Sequence, residues 1–510
     1  MLVLALALVL VAVALEALRR SPAVAEMRRA RRLTAKLPHP AEYPLLGTAT
    51  LLACSQDELY DRIHKVASDY GPLTRVTLGH LTFVCVMDPR DIEAVMTSTK
   101  AQNKSLAYTV LMQVMGMGLV TLNGDEWRRH RKAITPSLHL DILKDFVHIF
   151  YKKGVGLASE LEQRADSAEV FDVTPLCGAC ANNSICETVM SSDLDDDDPD
   201  KRNFLSNIPK ALDHFMYRVF RPWFISSWGY SLHPTRYRDY VKILNDTNSF
   251  IQRIVREKKE TVQKTGEPES RPKRRRAFLE HVLASAEGAA LDENELVEEV
   301  KTIVAVASGS SMDAIALTIY TLAIRQDIQE KVRDELSGVL GEGPGRAVEH
   351  SDLAHMQYTE CVIKEVLRYF SIVPLFGRTV TEDLALPSGF TIPRGCEVAF
   401  WLPYTHRDPK WYPEPDKFDP DRFLPENSRG RHPFAFVPFS GGPRNCVGQR
   451  YAMMFMKTVV AAIVPRLRFE IPAGGPGRIE DVPLALNLTI AVRGGANIRV
   501  HRIRQQETLG

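Results

Sequence analysis

The chain has 510 residues, of which 45% are hydrophobic and 25% charged, ordinary values for a globular protein. Its 64 Lys and Arg against 63 Asp and Glu leave a formal charge of +1, which removes any general electrostatic case for nucleic acid but leaves local basic patches open to a protein or membrane partner. Eight cysteines show no disulfide-framework spacing, which favours a reducing compartment.

The N-terminus is apolar from Leu2 to Leu15 and then meets Glu16 and the pair Arg19-Arg20, with more positives at Arg28, Arg29, Arg31, Arg32 and Lys36. A cleavable signal carries its basic residues first; here they follow, and the positive-inside rule puts them in the cytoplasm. Residues 1–20 therefore read as a single-span membrane anchor, short for a span of about 20 residues. A cleaved signal and a helix lying in the membrane surface are the alternatives. Residues 21–47 read as a basic and proline-rich connector that is stiff and extended over Leu37–Gly47, followed by one catalytic domain over 48–510. Leu73–Asp88 is β-branched and broken by Gly79-His80, a hairpin pattern, and Pro89 opens a helix. From about 125 to 340 the pattern is mainly helical, without internal repeats. Asp193–Asp200 and Thr265–Arg276 interrupt it as charged surface loops, the first having a metal site as its weaker alternative. Cys177 and Cys180 form a lone CxxC and read as buried structural cysteines, as do Cys361 and Cys396. Short strands are expected within Phe390–Trp401 and Leu484–Ile503. The sum is a mainly α fold with small β pieces.

Chemistry concentrates at FSGGPRNCVG, Phe439–Gly448, just before a stretch of good helix composition. A helix N-terminus favours a thiolate at Cys446. Gly442 and Gly448 would let the backbone approach a large flat group closely, Arg444 is placed to pair with an anion on it, and Phe439 to pack beside the sulfur. One cysteine leaves zinc, which takes about four ligands, unsatisfied. It suits haem, where the porphyrin fills the equatorial positions and the protein supplies one axial sulfur. A turn with a buried cysteine is the plain alternative.

This stretch resembles the FxxGxRxCxG haem-binding signature of the cytochrome P-450 superfamily at every fixed position: Phe439, Gly442, Arg444, Cys446 and Gly448. KEVLRYF resembles the ExxR motif through Glu365 and Arg368, and FDPDRF the later PxRF motif through Arg422; in the family these three make a buried charge network. GDEWRRHRKAITPSLH resembles the WxxxR helix, so Trp127 and Arg131 are implied haem-propionate partners, as is Arg378 of VPLFGRTVTED. The resemblance runs from about residue 37 to the end, in the style of the microsomal family 4 group. It implies a P-450 fold around a buried heme b, and a monooxygenase that inserts one oxygen atom of O2 into a fatty acid, another aliphatic or a xenobiotic. Its implied partners are an NADPH-dependent P-450 reductase and cytochrome b5, and its implied place is the endoplasmic reticulum membrane, with the domain facing the cytoplasm. Arg128, Arg129, Lys132 and Lys457 are candidates for the reductase surface, or simply solvated charges. Phe376, Ala305–Ala307 and the loop before Trp127 are the expected substrate wall. The Met-rich stretch Leu106–Gly118 suits an adaptable pocket, and equally a core.

The oxygen-binding helix departs from the family pattern of Gly, x, acid, Thr. Aligned without gaps over Glu298–Ala323, Ala307 stands at the glycine, Gly309 at the acid and Ser310 at the threonine, followed by Ser311 as the second alcohol. A second register matches Gly309 to the glycine and puts Met312 at the alcohol. In the first, Ser310 keeps a hydroxyl and the carboxylate is missing, so oxygen activation is expected to work but to leak peroxide. Asp313, one turn on from Gly309, is a substitute acid or a solvated charge. Val306 takes the place of the glutamate that some family 4 members esterify to haem, so non-covalent haem is expected. Two rivals stay open: a haem-thiolate enzyme that rearranges hydroperoxides without a reductase, and a non-catalytic haem protein that binds a hydrophobic ligand.

Overall fold

The computed structural model describes residues 21–503 except residues 45, 168, 191–197, 220, 222–223, 265–276, 286–287 and 343–344. The expected membrane anchor, the loop 265–276 and most of the aspartate run lie outside the described residues.

The stretch expected as a connector is folded onto the body. Helix α1 (Pro22–Leu33) has proline in its first turn, and the Ser21 hydroxyl accepts from the Val24 N–H, a favourable N-terminus. Arg29 pairs with Asp383 at 2.6 Å and Arg394 with Glu26 at 2.8 Å, while Ala30 and Leu37 are buried in an apolar cluster with Val84, Val86 and Val398. Alanine and arginine are strong helix formers, and that local preference carries the basic run.

Helix α2 (Gln56–Tyr70) leads into the hairpin β1 (Leu73–Leu78) and β2 (Leu81–Val86), which turns through Gly79 at φ +57°. Helix α3 (Pro89–Thr97) starts where Asp88 accepts from the Arg90 N–H at 2.9 Å. Strand β3 (Asn103–Lys104), α4 (Tyr108–Met115), α5 (Gly124–Ile134) and α6 (Val147–Glu162) follow. Next come β4 (Phe171–Asp172), α7 (Thr174–Met190), α8 (Pro199–Val219), α9 (Pro234–Lys264) and α10 (Phe278–Ala284). The central helix α11 (Glu293–Ile324) is followed by α12 (Gln326–Leu340) and α13 (Gln357–Phe370). The last third holds β5 (Leu375–Thr379), β6 (Leu384–Ala385), β7 (Thr391–Ile392), β8 (Glu397–Trp401), α14 (Gln449–Ile463), β9 (Leu467–Glu470), β10 (Leu484–Leu486), β11 (Ile490–Val492) and β12 (Asn497–Arg502). The fold is mainly helical, with a five-stranded sheet in the order β1-β2-β8-β5-β3, a three-stranded sheet β4-β12-β9, and the pairs β6–β7 and β10–β11.

Asp292 and Glu295 form a reciprocal cap at the start of α11. Past its charged first two turns the helix is largely apolar, and it packs against α7, α9, α13 and α14. Among the described residues it is the one helix long and apolar enough to cross a membrane, and it is mostly buried. Cys177, Cys180, Cys361 and Cys396 are buried free thiols.

Candidate functional site

The loop before α14 is held by its own backbone. The Cys446 N–H donates to the Phe439 carbonyl at 2.8 Å and the Ser440 N–H to that of Val437 at 2.9 Å. Gly442 sits at φ +67°, and a Cβ there would lie 2.2 Å from the Met96 carbonyl oxygen of α3. That glycine is required by contact with the protein's own backbone. A Cβ on Gly448 would lie 3.9 Å from the Cys446 sulfur. Burial raises the Cys446 thiol pKa, against a backbone hydrogen bond from Gly448 and the charges of Arg131 and Lys104. The residue keeps accessible surface.

The charges of Arg131 and Lys104 act on that sulfur, and those of Arg378 and Arg444 act on Lys104 in turn. Arg131, from α5, donates to the carbonyl and the Oδ1 of Asn445 at 2.9 and 2.8 Å. Arg444 lies over the Trp127 ring at 4.2 Å and donates to the Leu122 carbonyl at 2.6 Å, leaving Nε and Nη1 buried without partners. Arg378 is 1% exposed, and its guanidinium donates to the Gly377 carbonyl at 3.1 Å. The ammonium of Lys104, 4.7 Å above the Tyr108 ring, has its pKa pushed well down by burial and by Arg378 and Arg444. Burial and the nearby charge of Arg378 bring Arg444 itself down to about 9. Among the described residues none of the four is in an ion pair with a carboxylate. Buried charge without counter-charge is costly, so the cluster fits a bound group carrying acids of its own.

A lone sulfur beside unneutralised arginines is the arrangement that haem and its two propionates complete. The family model for cytochrome P450 matches residues 37–490. The chain belongs to the cytochrome P450 family. Cytochrome P450 4V2 of Rattus norvegicus is 32% identical over 477 residues, covering 91% of this chain and 89% of the relative. The human protein of that name is 33% identical over 478 residues, and cytochrome P450 4c3 of Drosophila melanogaster 31% over 482, both with the same coverage. This P450 is therefore a monooxygenase, and the family's cofactor is haem ligated by a cysteine thiolate. Cys446 is the residue at the ligand position of the signature, and Lys104, Arg131, Arg378 and Arg444 are the groups that fit the propionates. The sequence does not single out Lys104 or Asn445: a lysine among polar neighbours such as Gln102, Asn103 and Ser105 carries no signal of its own.

Behind the loop, Glu365 and Arg368 are both 0% exposed and joined by two bonds of 2.6 and 2.8 Å. The Arg422 Nε stands 3.6 Å from Glu365, and the Asp419 N–H donates to the same carboxylate at 2.8 Å. Burial raises the Glu365 pKa against the hydrogen bond and charge of Arg368. Arg422 is anchored by the carbonyls of Pro413 and Glu414.

In the middle of α11 the residues Ile303, Ala305, Val306, Ala307, Gly309, Ser310 and Met312 are half-exposed among buried neighbours. The Ser310 hydroxyl donates to the Val306 carbonyl at 3.0 Å. Ser308 and Ser311 are buried, and Ser308 bonds to Asn182 of α7. Met312 faces Gly178 of α7, its sulfur 3.0 Å from where a Cβ would stand. Asp313 is neither solvated nor a cap. It is buried, accepts from the Thr489 hydroxyl at 2.5 Å, and burial pushes its pKa up to about 7.

Ala305, Val306 and Leu488 join an apolar cluster with Val110, Leu111, Val114 and Met115 of α4, while Met117 is exposed. Phe376 packs on Phe400 at 5.0 Å. Lys457 is no surface charge: it is buried and donates to the Leu353 carbonyl and to Glu360. Arg128 and Arg129 pair with Asp125 and Glu295.

Proposed function

We propose that this P450 inserts one oxygen atom from O2 into a hydrophobic substrate, a fatty acid, another aliphatic or a xenobiotic. The lone sulfur of Cys446 beside uncompensated cations carries the reading. Electrons come from NADPH through a flavoprotein reductase, with cytochrome b5 as a further donor. Residues 1–20 anchor the chain in the endoplasmic reticulum membrane with the domain on the cytoplasmic side.

Haem b, when bound, supplies the iron on which dioxygen is cleaved, with the Cys446 sulfur donating electron density that favours the cleavage. Lys104, Arg131, Arg378 and Arg444 hold the propionates by charge-assisted hydrogen bonds, with Trp127 packed under Arg444. Glu365, Arg368 and Arg422 keep the loop's support rigid. Ala305 and Val306, with α4 and Leu488, shed water and hold the apolar body of the substrate. Ala307 and Ser310 face the same side, and the Ser310 hydroxyl passes a proton towards the reacting oxygen once it leaves the Val306 carbonyl. The packing of Met312 on α7 supports this register, because the second one would put the alcohol position at a helix interface. Ser311, buried on that side, supports the helix.

The test is the carbon monoxide spectrum of the reduced protein, which reports thiolate ligation, followed by lipid oxidation dependent on NADPH and reductase. Haem colour and turnover left intact in a Cys446→Ala variant would overturn the reading. The missing carboxylate at Gly309 favours one rival, hydroperoxide rearrangement, which predicts turnover of lipid hydroperoxides with neither NADPH nor reductase.

A further inference from the structure

His406 is fully buried between the charge network and the cysteine loop, and nothing above uses its ring. Its backbone carbonyl accepts from the Arg368 Nη1 at 2.9 Å. Its Nε2 accepts from the Val437 N–H at 3.1 Å, which puts the ring proton on Nδ1. That nitrogen lies 2.9 Å from the Ser371 hydroxyl, which in turn donates to the Arg368 carbonyl at 3.2 Å. Ser371 itself ends α13 in a left-handed conformation, φ +49°, so the corner between network and ring is set by backbone geometry as well.

Val437 begins the segment that ends at the sulfur. Its carbonyl accepts from Ser440, and two residues on, the Phe439 carbonyl accepts from the Cys446 N–H at 2.8 Å. Phe436 also packs against the His406 ring at 5.6 Å. The ring is thus a neutral strut with one end on Arg368 and Ser371 and the other on the loop. Burial and the charge of Arg368 push its pKa down to about 3, so the acceptor at Nε2 persists at working pH.

We infer that His406 is a positioning residue for thiolate ligation: its Nε2 fixes the Val437 N–H and thereby the height of the Cys446 loop against the haem iron. Without that acceptor the Val437 N–H is buried and unpaired, the loop relaxes, and the sulfur is more readily protonated or lost from the iron. This rests on Cys446 being the iron ligand; a Cys446→Ser variant that kept the thiolate spectrum would overturn that premise and the inference with it.

Two replacements separate the ends of the ring. His406→Gln can place an oxygen near the Nε2 position and restore the acceptor. His406→Asn can restore only the donor to Ser371. In the carbon monoxide-bound, reduced state, the thiolate band should convert to the thiol-ligated band about five- to thirtyfold faster in His406→Ala and His406→Asn, the change expected from one lost buried hydrogen bond. His406→Gln should stay close to the parent. Melting temperatures and haem content, measured alongside, separate this from general loss of fold, which would lower all three variants together. A band equally durable in the Asn and parent proteins, or lost equally in Gln and Ala, overturns the inference. Independently of variants, the Val437 amide of the parent holoprotein should exchange hydrogen as slowly as the core of α13; exchange at a loop-like rate would also overturn it.

Discussion

Arg131 and Asn445 join the α5 helix to the cysteine loop: both terminal nitrogens of the guanidinium donate to Asn445, one to its carbonyl and one to its side chain, beside Cys446. The arginine is thus doubly engaged, fixing the loop and facing the space where an acidic group fits. Asn445→Ala removes one bond of about 1.5–3 kcal/mol and should lower haem retention modestly. Arg131→Met removes the loop contact and the charge together and should give largely haem-free protein. Haem-to-protein ratios after gel filtration check the order of the two.

Glu365→Ala leaves Arg368 buried without its partner and Arg422 without the nearby charge. Breaking a fully buried pair costs about 3–5 kcal/mol, a large part of a domain's stability. Little folded holoprotein is expected, and a variant with the parent's melting temperature would contradict the network's role.

A Cβ on Gly309 would meet nothing within 4 Å, so aspartate fits there without displacing a neighbour. Gly309→Asp restores the acid that the family usually carries at this position, and the ratio of hydrogen peroxide released to NADPH consumed should fall severalfold. An unchanged ratio means that proton delivery does not depend on this position.

Asp313 gives a pH dependence with a definite sign. Burial lifts its pKa from 3.8 to about 7, so between those values the folded state binds the proton more tightly than the unfolded state. Stability therefore declines as pH rises through that window, by up to about 4 kcal/mol at about 1.4 kcal/mol per unit. Asp313→Asn keeps an acceptor for Thr489 and removes the charge. It should raise the melting temperature at pH 8 and change it little at pH 4; equal effects at both would show that the carboxyl is not held neutral by burial.

Val306 offers no carboxyl for an ester to the porphyrin. Acidified organic solvent should extract the haem completely, and haem that stays with the polypeptide would show a covalent link elsewhere.

Local order was legible where it depends on neighbours in the chain. The Gly79 hairpin, the proline-led α3 and the strands around Cys396 and Ile490 follow from turn chemistry and side-chain alternation, and the cysteine signature named the family because every fixed position lies within ten residues. The helix α1 was missed, since prolines further along hid a strongly helix-forming run. At Gly442 the contact with Met96, distant in sequence, adds a need for glycine that the signature does not reveal. Lys457 was taken for a surface charge because helix position alone does not say which face another helix covers.

By itself the sequence pointed to the mainly helical class, to a cysteine at the ligand position of the signature and to Glu365 and Arg368 on one helix face, since each rests on residue pattern along the chain. Tertiary structure alone decided that Lys104 joins Arg378 and Arg444 beside the cysteine loop, that Asp313 is buried against Thr489, and that His406 bridges network and loop. Electrostatic and hydrogen-bond energies depend on distances through space and on the exclusion of water, and packing sets both between segments that the chain keeps hundreds of residues apart.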